Sequence, residues 1–249
     1  MASKSDFSAL KKTFEESIAS LTALINKNRD ELFEKIDELQ LVKTELDVTR
    51  KEVKEQKSEI FTLKTKVNQF EQQDRLRSLR IFGLTIPAED EEALGINRAV
   101  IKNVYNRIIK PILTVAKAKN AIAAVPQADT ALISGYRVGI PKKGGRSSPL
   151  PCVITFNHKE TRDLVMRHKR GNIPAPSPLE KEAGVKRLVI VEDLTPDTHR
   201  KLKELVEHDS FAKVWTINGA IRFTLTEDPD GSIGKVDSPY LTIQQILAK

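Results

Sequence analysis

Every seventh residue from Ile18 is aliphatic: Ile18, Ile25, Leu32, Leu39, Leu46, Val53, Ile60 and Val67 form an unbroken column. A period of 3.5 residues places that column on one seam of a helix. The companion column three residues on is apolar at its ends (Phe7, Phe14 and Leu21; Leu63 and Phe70) and largely polar between, at Asn28, Lys35, Thr49 and Gln56. No Pro or Gly interrupts residues 1–82. At 1.5 Å per residue, a helix from about residue 7 to 73 is roughly 100 Å long. A single helix with such a stripe leaves it in water, so the pattern predicts a coiled coil of two or three parallel copies over residues 1–73. The polar seam residues fix register, and the mixture of Leu with β-branched residues does not separate dimer from trimer. An antiparallel hairpin is the alternative, and no turn signal in the run supports it.

Charge divides the chain at the same place. Residues 1–73 hold 13 basic and 14 acidic residues, and the remainder 28 against 20, which makes the second part basic. That balance points to an anionic partner, with nucleic acid first. The sequence has neither an apolar run of about 18 residues nor a secretory leader, so a membrane-spanning or secreted protein is not expected. One cysteine, Cys152, builds neither a disulfide framework nor a zinc site within one chain. His158, His168, His199 and His208 lack ligand spacing, so no metal or other cofactor is predicted.

From Arg75 to Leu84 (RLRSLRIFGL) the spacing turns from helical to extended, predicting a strand. Residues 89–118 return to helical spacing, with acidic Glu89–Glu92 at the start, an apolar face of Ile96, Val100, Ile101, Val104 and Ile108, and Pro111 as punctuation. Ala131–Ile140 and Pro151–Asn157 read as strands around a basic Pro/Gly/Ser-rich loop at 141–149, and Lys159–Lys169 as a helix. Strand, helix, strand, loop, strand, helix is compatible with a sheet of four strands backed by two helices, as in an RNA-recognition motif. This domain is placed at 74–172, with a weak fourth strand near Ile173 and a Pro-rich linker at 173–185. A small α+β domain follows at 186–249. In it Arg187–Val191 is a strand, Thr195 caps a helix over Pro196–His208, Asn218-Gly219 marks a hairpin between Val214–Thr216 and Ala220–Leu225, and Tyr240–Leu247 is a short helix. The fold class is thus α+β behind a long coiled coil.

The richest basic segment is Tyr136–Arg170, where Arg137, Lys142, Lys143, Arg146, Lys159, Arg162, Arg167, Lys169 and Arg170 face only Glu160 and Asp163. Such groups neutralise phosphates without reading sequence. Phe82, Tyr136 and Phe156 lie on or beside predicted strands, where a base can stack or where the ring simply joins the core. The loop at 139–147 (GIPKKGGRS) lacks the Lys-Ser/Thr ending of a phosphate-binding loop, no nucleophile elbow is present, and the acidic clusters at 89–92 and 227–230 read as a helix start and a turn. An enzyme is not expected.

These segments resemble the first-open-reading-frame protein of LINE-type non-LTR retrotransposons, and in part the baculovirus few-polyhedra protein. The resemblance rests on Ser78–Gly83 (SLRIFG), Tyr136–Gly139 (YRVG) leading to Cys152–Phe156 (CVITF), Arg162–Arg170 (RDLVMRHKR), and Glu192–Pro196 (EDLTP) followed by Val214–Gly219 (VWTING), about 170 residues behind a coil. It implies a parallel homotrimer that binds single-stranded RNA in the cleft between two globular domains, with nucleic-acid chaperone activity. Carried over by position, it assigns RNA contacts to Arg80, to Arg167, Lys169 and Arg170, and near Arg222. No Cys/His zinc knuckle like that of some relatives is present. The expectation is a non-enzymatic RNA-packaging protein in a cytoplasmic ribonucleoprotein with a nuclear phase open. The alternative is a structural or trafficking adaptor of the few-polyhedra kind, and single-stranded DNA is the other candidate ligand.

Overall fold

The computed structural model describes residues 4–139 and 149–248 and divides the chain into two compact units, Met1–Thr62 and Leu63–Lys249. Helix α1 runs Lys4–Arg75. Within the first unit the seam residues Ile18, Ile25, Leu32, Leu39, Leu46, Val53 and Ile60 are all exposed, as an amphipathic helix without a partner must leave them. Among the described residues no helix is long and apolar enough to cross a membrane.

The second unit begins inside the helix, short of the boundary at residue 73 that the sequence predicts. From Thr65 onward one polar face of α1 is packed into the unit. Thr65 Oγ1 lies 2.8 Å from Ser238 Oγ, Asn68 Oδ1 accepts from Thr195 Oγ1 at 2.5 Å, and Gln72 Nε2 donates to the Asp193 carbonyl at 3.1 Å. The apolar seam on the neighbouring face, Leu63, Val67 and Phe70, stays exposed.

After α1 come strand β1 (Ser78–Phe82), helices α2 (Ala88–Leu94) and α3 (Ile96–Val104), a π-helical turn at Tyr105–Ile109, and α4 (Lys110–Ala118). Gly95 (φ 77°) breaks the predicted helix after α2, and the stretch from Ile96 to Ala118 is continuous but re-registered where the ladder widens just ahead of Pro111, which has no N–H to offer the carbonyl four residues back. The short α5 (Ala128–Ala131), β2 (Leu132–Arg137), β3 (Cys152–Phe156) and α6 (Lys159–His168) follow. Next are α7 (Pro178–Glu182), β4 (Val189–Glu192), α8 (Pro196–Val206), β5 (Phe211–Ile217), β6 (Ala220–Leu225), β7 (Gly234–Lys235) and α9 (Ile243–Leu247).

Two antiparallel sheets result, one ordered β2-β3-β1-β4 and one ordered β5-β6-β7. Leu79 and Ile81 of β1, Cys152, Ile154 and Phe156 of β3 and Ile190 of β4 alternate inward onto Val100, Val104, Ile108, Ile112 and Val165 of the helices. Helix α3 lies so close to β2 that a Cβ at Gly135 would come within 2.9 Å of Ile101 Cγ1. Leu205, Phe211, Ile221, Phe223, Val236 and Ile246 form the second core.

Two expectations are corrected. The fourth strand is not near Ile173: it is Val189–Glu192, which pairs with β1 and completes the first sheet instead of opening the C-terminal module. The stretch expected as a linker is packed. Its Ser177 caps α7 in a reciprocal capping box, and Glu180, fully buried, accepts from Arg107 Nη2 at 2.8 Å and from the Thr85 N–H at 3.0 Å. By contrast, Thr195 accepts from the Thr198 N–H as the cap of α8, and Asn218 (φ 51°) and Gly219 (φ 74°) make the tight β5–β6 turn that Asn-Gly announces.

Candidate nucleic-acid interface

Alternation along the strands decides which side chains leave the core of the first sheet. On the face away from the helices, Tyr136, Val153, Arg80 and Val191 line up across β2, β3, β1 and β4, with Phe82 opposite Val189 in the next row. Tyr136 is exposed, and Arg80 and Phe82 are half-buried. Phe156, the third candidate for stacking, points the other way and is fully buried. Arg80 is held: its Nε and Nη2 donate to Asp193 Oδ1 at 3.1 and 2.7 Å, while Arg75 Nη1 reaches Asp193 Oδ2 at 3.3 Å. Two guanidinium groups share one buried carboxylate, so a net positive charge remains beside the face.

The other predicted contacts separate by environment. Arg137 is ion-paired with Glu91. Lys142, Lys143 and Arg146 lie outside the described residues. Arg162 corrects the expectation outright: it is 3% exposed, donating from Nη2 to Glu192 Oε1 at 2.6 Å and from Nη1 to Asp163 Oδ1 at 2.6 Å and Asn218 Oδ1 at 3.2 Å. Glu192 also accepts the N–H groups of Asn218 and Gly219 at 2.8 and 3.0 Å. This network ties α6 and β4 to the tip of the β5–β6 hairpin and is architecture, not a binding surface. Burial pushes the Glu192 carboxyl up, but the Gly219 N–H and the Arg162 guanidinium outweigh it and hold the group below the usual carboxylate range.

Three predicted residues stay together at the end of α6. Arg167 and Arg170 are exposed, and half-buried Lys169 donates to the Ile190 carbonyl at 2.5 Å. Burial draws the Lys169 ammonium below its ordinary pKa, and nearby Arg162 adds to the effect against the opposing pull of Glu192. Arg222 lies in the second sheet, in register with Trp215 on one side and Lys235 on the other, on the face opposite buried Ile221 and Phe223. A row in which Arg222 stands between an aromatic ring and a second cation is a fitting place for an unstacked base and its phosphate.

Sequence reasoning missed four residues: Trp215 and Lys235, which only the strand register brings beside Arg222, and Lys186 and Arg187, exposed immediately before β4. The Lys-Arg pair was visible as composition, but its surroundings were not.

Among the described residues no three His, Cys, Asp or Glu side chains are grouped to hold a metal ion. The Cys152 thiol is buried and desolvation pushes it up to about 11, so it carries almost no thiolate at neutral pH. Compared with protein-family models and with curated proteins, the chain matches none of them.

Proposed function

We propose that this protein is a self-associating, non-enzymatic binder of single-stranded RNA that coats and rearranges strands through many weak phosphate contacts, as the resemblance to LINE-type first-open-reading-frame proteins implies. The observation that carries the reading is the first sheet. Its order β2-β3-β1-β4, with helices on one face and Tyr136, Arg80 and Phe82 on the other, supports a platform for unstacked bases of the kind an RNA-recognition motif offers. Cations with no carboxylate partner among the described residues, Arg167, Arg170, Lys186 and Arg187, flank that sheet at the end of α6 and just before β4. The exposed seam supports association into a parallel homotrimer or dimer, because another copy of the same stripe matches its length and register.

Fluorescence anisotropy of the full chain with labelled single-stranded RNA and a matched duplex, titrated over salt, tests the reading. Tight binding to the single strand whose affinity falls linearly in log–log with salt is expected. Absence of binding at low salt would overturn it and leave the coiled-coil adaptor as the better account.

A further inference from the structure

The connection between α6 and β4 does more than link them. Its Pro174 and Pro176 form one wall of a groove of about 560 Å³ whose other wall is Lys186, Arg187 and Val189 at the edge of the first sheet, with Lys169 also in its lining. Three cations and no carboxylate line this groove, and the rest of its surface is aliphatic. Neither Lys186 nor Arg187 has an ion-pair partner among the described residues, and both are exposed.

The backbone of the edge narrows the choice of occupant. Strand β4 pairs only with β1, so its outer edge is free, which ordinarily invites an added peptide strand. Here an added strand is disfavoured: Lys169 occupies the Ile190 carbonyl, and Pro174 and Pro176 in the same groove have no N–H to give. Recognition therefore falls to side chains. A lysine ammonium keeps two further donors after bonding one carbonyl, and an arginine fork matches two phosphate oxygens. Arg167 and Arg170, exposed at the end of α6, continue the positive track beyond Lys169.

We propose that this groove is the path of a single-stranded nucleic-acid backbone, its phosphodiesters set against Lys169, Lys186 and Arg187 and its sugars against the aliphatic walls, with the bases unread. The groove is distinct from the buried Arg162 and Glu192 network that joins α6 and β4 to the tip of the β5–β6 hairpin. It rests on the RNA-binding reading and names the phosphate site within it.

The test compares the full chain with Lys186→Ala/Arg187→Ala, using labelled oligouridylate and oligoadenylate of about 20 nucleotides in anisotropy titrations at several salt concentrations. Each lost phosphate contact on a single strand flattens the log–log salt slope by about 0.7, so the double variant loses about 1.4, which is roughly 25-fold in affinity at about 0.1 M salt. The same loss is expected for both oligonucleotides. Arg98→Ala/Lys110→Ala, equal in charge and exposed on the helices that follow β1, keeps the wild-type slope. Both pairs are exposed, so the urea midpoint of Trp215 fluorescence stays at the wild-type value and separates binding from folding. A double variant with the wild-type slope, or one that loses affinity for one oligonucleotide only, overturns the groove as a backbone site. Failure of the wild-type chain to bind at all overturns the RNA-binding reading itself.

Discussion

Replacing Arg162 by Met separates a structural arginine from a phosphate-binding one. The substitution keeps most of the side-chain volume and removes three charge-assisted hydrogen bonds, to Glu192, Asp163 and Asn218. Asp163 is half-exposed and keeps Lys159 at 3.1 Å, so its loss is small. Glu192 is left as a buried carboxylate that keeps two backbone N–H donors, the Thr216 hydroxyl and the nearby Lys169 ammonium but loses its paired guanidinium. Breaking a buried pair on one side costs about 3–5 kcal/mol, and the surviving N–H bonds place this case near 3. With a urea slope of roughly 2 kcal/mol per molar, the unfolding midpoint falls by about 1.5 M. Trp215, the only tryptophan in the chain, sits on β5 close to the Asn218-Gly219 turn that Glu192 holds, so its fluorescence reads the right element. Adding Glu192→Gln removes the stranded charge and restores about 1–2 kcal/mol, a coupling that independent sites would not show. An Arg162→Met variant whose midpoint stays within about 0.3 M of wild type while RNA binding disappears would refute the argument and return Arg162 to the binding surface.

Stability also carries a pH signature. Glu180, Glu192 and Asp163 are all held below their ordinary pKa: in each, burial pushes up and bonds from Arg107, the Gly219 N–H or Arg162 outweigh it. Each therefore binds fewer protons folded than unfolded, so its contribution is present above the unfolded value of about 4 and is lost as pH falls through the lower folded value. The Trp215 midpoint is expected to be flat from neutrality to about pH 5 and to drop below it, less steeply in Glu192→Gln. Gly219→Ala places a methyl 2.4 Å from Gln72 Cγ at a positive φ, and the expected loss of about 2–4 kcal/mol by urea unfolding exceeds the roughly 1 kcal/mol expected of Gly171→Ala, where φ is also positive but nothing lies within 4 Å. Asn68→Ala removes the acceptor of a buried threonine hydroxyl and is expected to cost about 1–3 kcal/mol without changing the sedimentation-derived oligomer size, because the face it lies on docks the unit and not a second copy.

Legibility in the sequence followed the distance over which each feature is determined. The heptad column, the Thr195-Pro196 helix start and the Asn-Gly turn are local and are read directly. Strand β4 is four residues long, and its partner β1 is more than a hundred residues earlier. Nothing within VIVE says which sheet it joins. The Pro-rich stretch before it looked like a linker because its anchors, Arg107 and Thr85, lie far upstream of Glu180. Arg162 looked like one more cation on a basic helix, yet its burial is fixed by Glu192 and Asn218, 30 and 56 residues later. Exposure, which separates Lys186 and Arg187 from Arg162, is a tertiary property that charge counting does not carry.

On the proposed reading, the balance of paired and unpaired cations bears on why so long an amphipathic helix belongs to this chain. With Arg162 consumed by architecture, Arg137 paired to Glu91 and Arg80 shared with Asp193, few free cations remain on the described surface of each chain near the first sheet. A handful of phosphate contacts gives weak, salt-sensitive affinity. Joining copies converts later contacts on the same strand into intramolecular ones, a gain of about 10²–10⁴ without any new contact. Docking through Asn68 and Gln72 leaves Val67 and Phe70 exposed, so folding of the second unit does not compete with association along the seam. Leu39→Asp/Leu46→Asp, two exposed seam positions, is therefore expected to yield monomers by light scattering with an unchanged Trp215 unfolding midpoint. Affinity for an RNA long enough to span several copies should fall at least about 100-fold, while affinity for one of about 10 nucleotides stays within about twofold. Equal losses for both lengths would mean that the seam shapes the binding surface itself, and the multivalency argument would fail.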